Sequence, residues 1–163
     1  RKDFTVEPPK KHRNLIGNLT FKLYHLEEFS NQVMGVYAHA KLEGGTVEKV
    51  MKDFLPYIKA TMDDGLPVNT SLLIITNYTM LDAYRDTELE EVALEQFLLQ
   101  CKHMKIDYAV LSPSPKMDST QPAFERTMII QGNINFYEQF GFDVYQRHRK
   151  AEPIMVARPM YID

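Results

Sequence analysis

Asn133-Ile134-Asn135-Phe136-Tyr137-Glu138-Gln139-Phe140-Gly141-Phe142 is the stretch on which the fold turns. It reads as the end of a helix that starts near Asn133, or earlier at Ala123, and stops at Gly141. Without a Cβ, Gly141 suits the left-handed residue that closes a helix. The aromatic pair Phe136 and Tyr137 can anchor such a helix to a sheet, and the glycine lets the chain reverse into a strand from Phe142 to His148. A second extended run, Ile154 to Tyr161, pairs with it.

Upstream, Ile106 to Leu111 predicts a strand that ends in the loop Ser112-Pro113-Ser114-Pro115. Before it, Asp86 to Lys105 has helical periodicity, with Leu89, Val92, Ala93, Phe97, Leu98 and Cys101 as its apolar face. The run Leu72-Leu73-Ile74-Ile75, continuing to Met80, predicts a buried strand. Leu19 to Tyr24 alternates with period two, and Gln32 to Leu42 reads as a second extended run after a turn at 27–31, which together predict an antiparallel hairpin. Gly44-Gly45-Thr46 then opens an amphipathic helix through Met62, with Thr46 as its cap and Pro56 as the point where it kinks or splits. Residues 1–17 form a polar arm carrying Pro8-Pro9 and Lys10, Lys11, His12 and Arg13; Asp3 and Glu7 dilute that charge, so it reads as a solvated tail. The expectation is one domain over 18–163, an α/β (α+β) fold with a mixed, mostly antiparallel central sheet and helices on both faces.

A chain of 163 residues with 44% apolar content buries one core and is short for two. The net charge of −3 gives no general pull toward nucleic acid, and no apolar run reaches the ~20 residues that span a bilayer. A single cysteine, Cys101, forms no internal disulfide, so the expected location is cytoplasmic or nuclear. Arg1 in place of methionine points to a processed chain or a segment of a longer one. The five histidines lack ligand spacing, so no metal is expected, and Ser112 and Ser114 lack the glycine elbow of a hydrolase. Cys101 falls on an apolar helix face, as a small buried hydrophobe does.

The stretch from Asn133 to Phe142 resembles the closing helix of the GNAT superfamily of acyl-CoA N-acyltransferases, where Phe-Tyr and Gly-Phe recur at this spacing. A second stretch, Tyr78-Thr79-Met80-Leu81-Asp82-Ala83-Tyr84-Arg85, is similar to the strand and Tyr-Arg turn that lead into that family's coenzyme helix. The resemblance covers about residues 18–162 and implies a GNAT-like fold with acetyl-CoA as co-substrate and an amine, on a small molecule or a protein, as acceptor. It implies contact with the coenzyme at Met80, Leu81, Arg85, Asn133 and Phe136. Tyr137 becomes the acid that protonates the departing thiolate. His39 and Asp82 are the titratable groups nearest the middle of the sheet in this topology, and so the candidate bases. Arg85 either meets a phosphate or pairs with Glu88 or Glu90 along the helix.

Two departures accompany these matches. The family places glycines three and five residues after the arginine, where backbone amides approach a pyrophosphate, and here those places hold Glu88 and Glu90, with Glu91 beside them. Carboxylates in a first helical turn suit the empty helix and repel an anion, so weak coenzyme binding is expected. The family also opens with a strand and two helices that wall the acceptor site, and here only the polar arm precedes the expected hairpin. Two functions stay open: an N-acetyltransferase with a divergent loop, and a non-catalytic module of the same fold that binds a protein or another ligand. Oligomeric state is not legible.

Overall fold

The computed structural model describes residues 15–25, 33–61, 70–115 and 122–163. Most of the expected arm and the turn at 27–31 lie outside them. Five strands form one sheet: β1 (Gly17–His25), β2 (Ser71–Met80), β3 (Tyr108–Leu111), β4 (Asp143–Tyr145) and β5 (Ile154–Ala157), in the order β1-β2-β3-β5-β4. Only β2 and β3 run parallel, joined by helix α3 (Glu88–His103); the other pairs are antiparallel. Helices α1 (Val33–Glu43) and α2 (Gly45–Thr61) precede β2, and α4 (Ala123–Glu138) lies between β3 and β4.

The central strand explains the layering. Side chains alternate across a strand, so a run that is apolar throughout must be covered on both sides. Leu72 and Ile74 meet Val50, Met51, Phe54 and Ile58 of α2, whereas Leu73 and Ile75 join Leu94, Leu98 and Cys101 of α3 and Ile134 of α4. The sheet is therefore mixed, mostly antiparallel and covered on both faces, as the sequence predicts. Register slips once between β1 and β2, where Thr20 faces Asn77 and Phe21 faces Ile75, leaving Thr76 as the extra residue of a bulge. β2 pairs with β3 only through Leu72–Ile75 and then runs five residues farther, to Met80.

Four expectations need correction. Residues 33–43 are helix α1, so there is no hairpin there, and His39 stands on a helix. Ala38, Ala40, Lys41, Leu42 and Glu43 are strong helix formers, and they prevail over the β-branched Val33 and Val36 that suggested a strand. Gly44 (φ 68°) and Gly45 (φ 53°), both left-handed, then reverse the chain into α2. Next, α2 is not split at Pro56 but continues through it to Thr61. The carbonyl that loses its partner belongs to Lys52, an exposed residue whose carbonyl water can serve. Third, one strand and two helices, β1, α1 and α2, precede β2, where a hairpin and one helix were expected. Fourth, Leu89 and Val92 are exposed, because the burying stripe of α3 is Leu94, Leu98 and Cys101, at i, i+4 and i+7.

α4 takes the earlier of its two expected starts, Ala123, and Gly141 (φ 93°) makes the reversal into β4. A polar hub binds the elements on the far side of the molecule. The Glu152 carboxylate accepts from Lys49 Nζ of α2 (2.6 Å) and from Arg126 of α4 through Nε (2.7 Å) and Nη2 (3.0 Å). Arg126 Nη1 also donates to the Pro115 carbonyl (3.1 Å).

Candidate functional site

Past Ile75, β2 runs on without β3, and Tyr78 on that extension packs in the same α3- and α4-side cluster as Tyr137 of α4. The Tyr78 hydroxyl donates to the backbone carbonyl of Glu90, fixing the first turn of α3 to the strand. Tyr137 is half-buried, its ring edge-on to both Phe136 (centroids 5.2 Å apart) and Phe142 (5.6 Å). Burial, then the nearby Tyr78 and Glu90, push the Tyr137 hydroxyl far above its ordinary value of 10.0. Burial and Glu90 raise Tyr78 to about 12. Both phenols therefore hold their protons at neutral pH.

Glu90 is the third member of this cluster. Burial, and then the charge of Asp86, raise its carboxyl above the usual value; the Asp86 backbone N–H and the Arg85 cation act the other way, and Glu91 adds to the rise. Its placement follows from local sequence. Thr87-Glu88-Leu89-Glu90 has the spacing of a capping box, in which the glutamate at the third helical position reaches back over the preceding turn. Neither hydrogen bond of the box is seen in its usual form. The Thr87 hydroxyl caps no helix amide and donates instead to the Tyr84 carbonyl (2.5 Å), while Glu90 folds back toward Asp86. Asp86 is one of two non-glycine residues with positive φ (59°) among those described.

The residues singled out in the sequence are only partly gathered here. Tyr137 and Phe136 belong to the cluster. Met80, at the end of β2, is buried and walls a cavity of about 310 Å³ between the start of β1 and α3, together with Tyr78 and Phe97. Leu81 is exposed, its backbone N–H donating to the Ile16 carbonyl (2.8 Å). Arg85 pairs with Asp82 (2.8 Å) rather than with Glu88 or Glu90, and the Asp82 side chain is 92% exposed. The Asn133 amide donates to the Pro113 carbonyl (2.7 Å), fastening α4 to the loop after β3. His39 lies across the sheet from Tyr137, in the α1 and α2 layer, with Nδ1 3.2 Å from the Tyr24 hydroxyl.

A second cavity, of about 670 Å³, opens at the other end of α3 between that helix and the segment after β5, with Lys102, Phe140 and Tyr161 among its walls. Lys102 Nζ is tied to the Ile162 carbonyl (2.7 Å), and the Arg158 guanidinium lies 4.6 Å from the Tyr161 ring centre. Among the described residues, no group of three His, Cys, Asp or Glu could hold a metal ion, and no helix is long and apolar enough to cross a membrane. Tyr78 and Glu90 escaped the sequence reading as partners of Tyr137. The capping-box spacing was the available signal for Glu90; for Tyr78 strand parity misleads, since even spacing from Leu72 puts it on the α2 face and the bulge at Thr76 turns it to the α3 and α4 side.

No protein-family model and no curated sequence matches the chain. Among solved structures, a bacterial toxin is similar over 86% of this chain at 18% identity and a TM-score of 0.43; the chain spans only 58% of that protein's length. Ard1 from Thermoplasma volcanium is similar over 83% of this chain and 94% of its own, at 13% identity and a TM-score of 0.34. Both are loose likenesses in the course of the chain.

Proposed function

We propose that this chain is an N-acyltransferase-like domain, built for acetyl transfer from acetyl-CoA to an amine on a small molecule or protein, in which coenzyme binding is weakened by its own carboxylates. The observation that carries this reading is Tyr137 packed in one cluster with Tyr78, which lies on the stretch of β2 beyond β3, and close enough to Glu90 of the first turn of α3 to feel its charge. A phenol at that place can hydrogen-bond and protonate a departing thiolate, a role that rests on its position, since burial makes it a weaker acid than a free tyrosine. The first turn of α3 does not suit a diphosphate. It carries Glu88, Glu90 and Glu91, follows Asp86, and contains no glycine, so an anion would meet carboxylates where it needs amides. Arg85, the nearest cation in the sequence motif, is turned to Asp82.

The size of the effect follows from Coulomb's law. At ~5–6 Å and an effective dielectric of ~20, a unit pair costs about 3 kcal/mol, which exposure reduces. If about 1.5 kcal/mol survives for each of two glutamates, affinity falls more than ~100-fold. A calorimetric titration of the chain with acetyl-CoA should thus give a dissociation constant of hundreds of micromolar or no heat at all, and replacing Glu88→Gly with Glu90→Gly should tighten it. Micromolar binding by the unmodified chain would sink the weakened-coenzyme reading. Where transfer is detected, Tyr137→Phe lowers turnover more than it changes coenzyme affinity. A second reading, a non-catalytic module of the same fold that binds a protein or other ligand, draws support from the carboxylates Glu88, Glu90 and Glu91 in the first turn of α3, which disfavour an anionic coenzyme there.

A further inference from the structure

The two edges of the sheet are built differently. β4 is three residues long, and a short edge strand resists pairing with another chain. β1 is nine residues long and has no proline, and the extra residue of its bulge belongs to β2. Among the described residues, no strand takes its outer side. Its single lysine, Lys22, is turned to Glu43 of α1 (2.9 Å). Leu19, Phe21 and Leu23 share the α3 side; Leu19 and Leu23 pack into that core, while the Phe21 ring lies 5.6 Å from that of Phe97 and stays 48% exposed. The cavity of about 310 Å³ between β1 and α3 opens beside them, and the exposed Leu89 and Val92 extend the same side of α3 by one turn. We propose that β1 is a self-association edge: two copies of this chain pair antiparallel through it, about a two-fold axis at Phe21, and join their sheets into one. The proposal does not depend on the reading above.

A second copy is the occupant because the strand complements itself. Faces match across a two-fold axis normal to the sheet only when the axis passes through a residue rather than between two. With the axis at Phe21 the whole of β1 pairs: Phe21 meets Phe21 of the second copy, Leu19 meets Leu23, Asn18 meets Tyr24 and Lys22 meets Thr20. Apolar side chains thus face apolar ones, and no like charges stand opposite. An axis at Lys22 would set two ammonium groups against each other, and one at Thr20 would set Leu23 against Gly17. Charge on the helices agrees. α3 returns between the parallel strands β2 and β3, so it runs in the direction of β1, and the two copies of α3 lie antiparallel on one side of the joined sheet. Each first turn, with Glu88, Glu90 and Glu91, is then set toward the end where the other helix carries Lys102 and His103.

Sedimentation equilibrium on the unmodified chain at concentrations up to about 100 µM should give twice the mass of one chain, 19.0 kDa. Phe21→Lys sets two cations across the axis and should weaken association by about tenfold or more while the melting curve stays intact. Cross-linking reads the register directly. Phe21→Cys places two thiols opposite each other, with Cβ atoms about 4.5–5.5 Å apart, and should form an intermolecular disulfide with oxidised glutathione. His25→Cys places them about 25 Å apart at opposite ends of the paired strands and should not. Cys101 is buried and gives the same background in both. The mass of a single chain up to about 100 µM overturns the proposal and leaves the edge to another segment of the chain or to a different protein. A double mass that a folded Phe21→Lys leaves unchanged puts the interface elsewhere and overturns it as well. Should Phe21→Lys fail to fold, the disulfides decide: cross-linking of Phe21→Cys alone upholds pairing through β1, and absent or equal cross-linking in the two variants overturns it.

Discussion

Glu152 and Glu90 are both partly buried carboxylates, and the molecule treats them in opposite ways. Glu152 sits between Arg126 and Lys49, and their hydrogen bonds and charges hold its carboxyl down at about 2. Glu90 faces a carboxylate and two phenols, and its carboxyl is pushed up. The first region fastens α2, α4 and the approach to β5 to one another; the second holds a charge that its surroundings disfavour. Burial acts the same way in both, so the neighbours decide the sign. A charge kept where it is disfavoured contributes little to holding the fold, and that marks the α3 end as the place to look for binding.

The largest expected effect tests the first region. Glu152→Ala should lower stability by about 2 kcal/mol at pH 7, read as a lower urea midpoint at unchanged slope, because it leaves a largely buried arginine without its carboxylate. The sign of the pH dependence follows from linkage. A depressed folded value means that this stability is present above the unfolded value near 4.5 and is lost as pH falls through about 2, so variant and parent should converge there. Persistence of the difference at pH 2 would show that packing, not charge, joins these elements.

Smaller, and opposite in sign with pH, is the effect at the second region. A raised folded value means that the Glu90 contribution is full below its unfolded value and is lost as pH rises through the folded one. Glu90→Gln should shift stability by no more than about 0.5 kcal/mol at pH 7 and flatten the decline in urea midpoint between about pH 4 and pH 7. A loss as large as that of Glu152→Ala would erase the contrast between the two carboxylates. Smallest of all, Asp82→Ala removes an exposed pair with Arg85 and should cost less than about 0.5 kcal/mol, within the scatter of a melting curve.

How much of this was legible in sequence depends on the range of the interaction. The four apolar residues of β2, the stripe of α3 and the Gly141 reversal are local patterns, and they placed β2, α3, β3, α4 and the closing strands in order. Residues 33–43 failed because their propensities conflict: the helix formers from Ala38 to Glu43 outweigh the β-branched residues before them, and the resulting helix buries Ala40 in the α2 layer. At the candidate site, Tyr137 and Phe136 announced themselves by motif, whereas Tyr78 and Glu90 join them only through the end of a parallel strand pair. The Arg126–Glu152 bridge joins residues 26 apart and the Lys49–Glu152 bridge residues 103 apart, and neither separation leaves a periodic trace.

The position of β5 has a consequence for how the chain is made. It follows β4 in sequence yet lies between β3 and β4 in the sheet, with all four of its residues buried. A nascent chain that has emerged only as far as β4 has no strand to join β4 to β3, and the interior side chains of Val110, Ala109 and Leu111 on β3 lack their neighbours. Completion of the sheet must therefore wait until residue 157 has cleared the ribosome, so β4 enters the sheet only after the strand that was synthesised later than it.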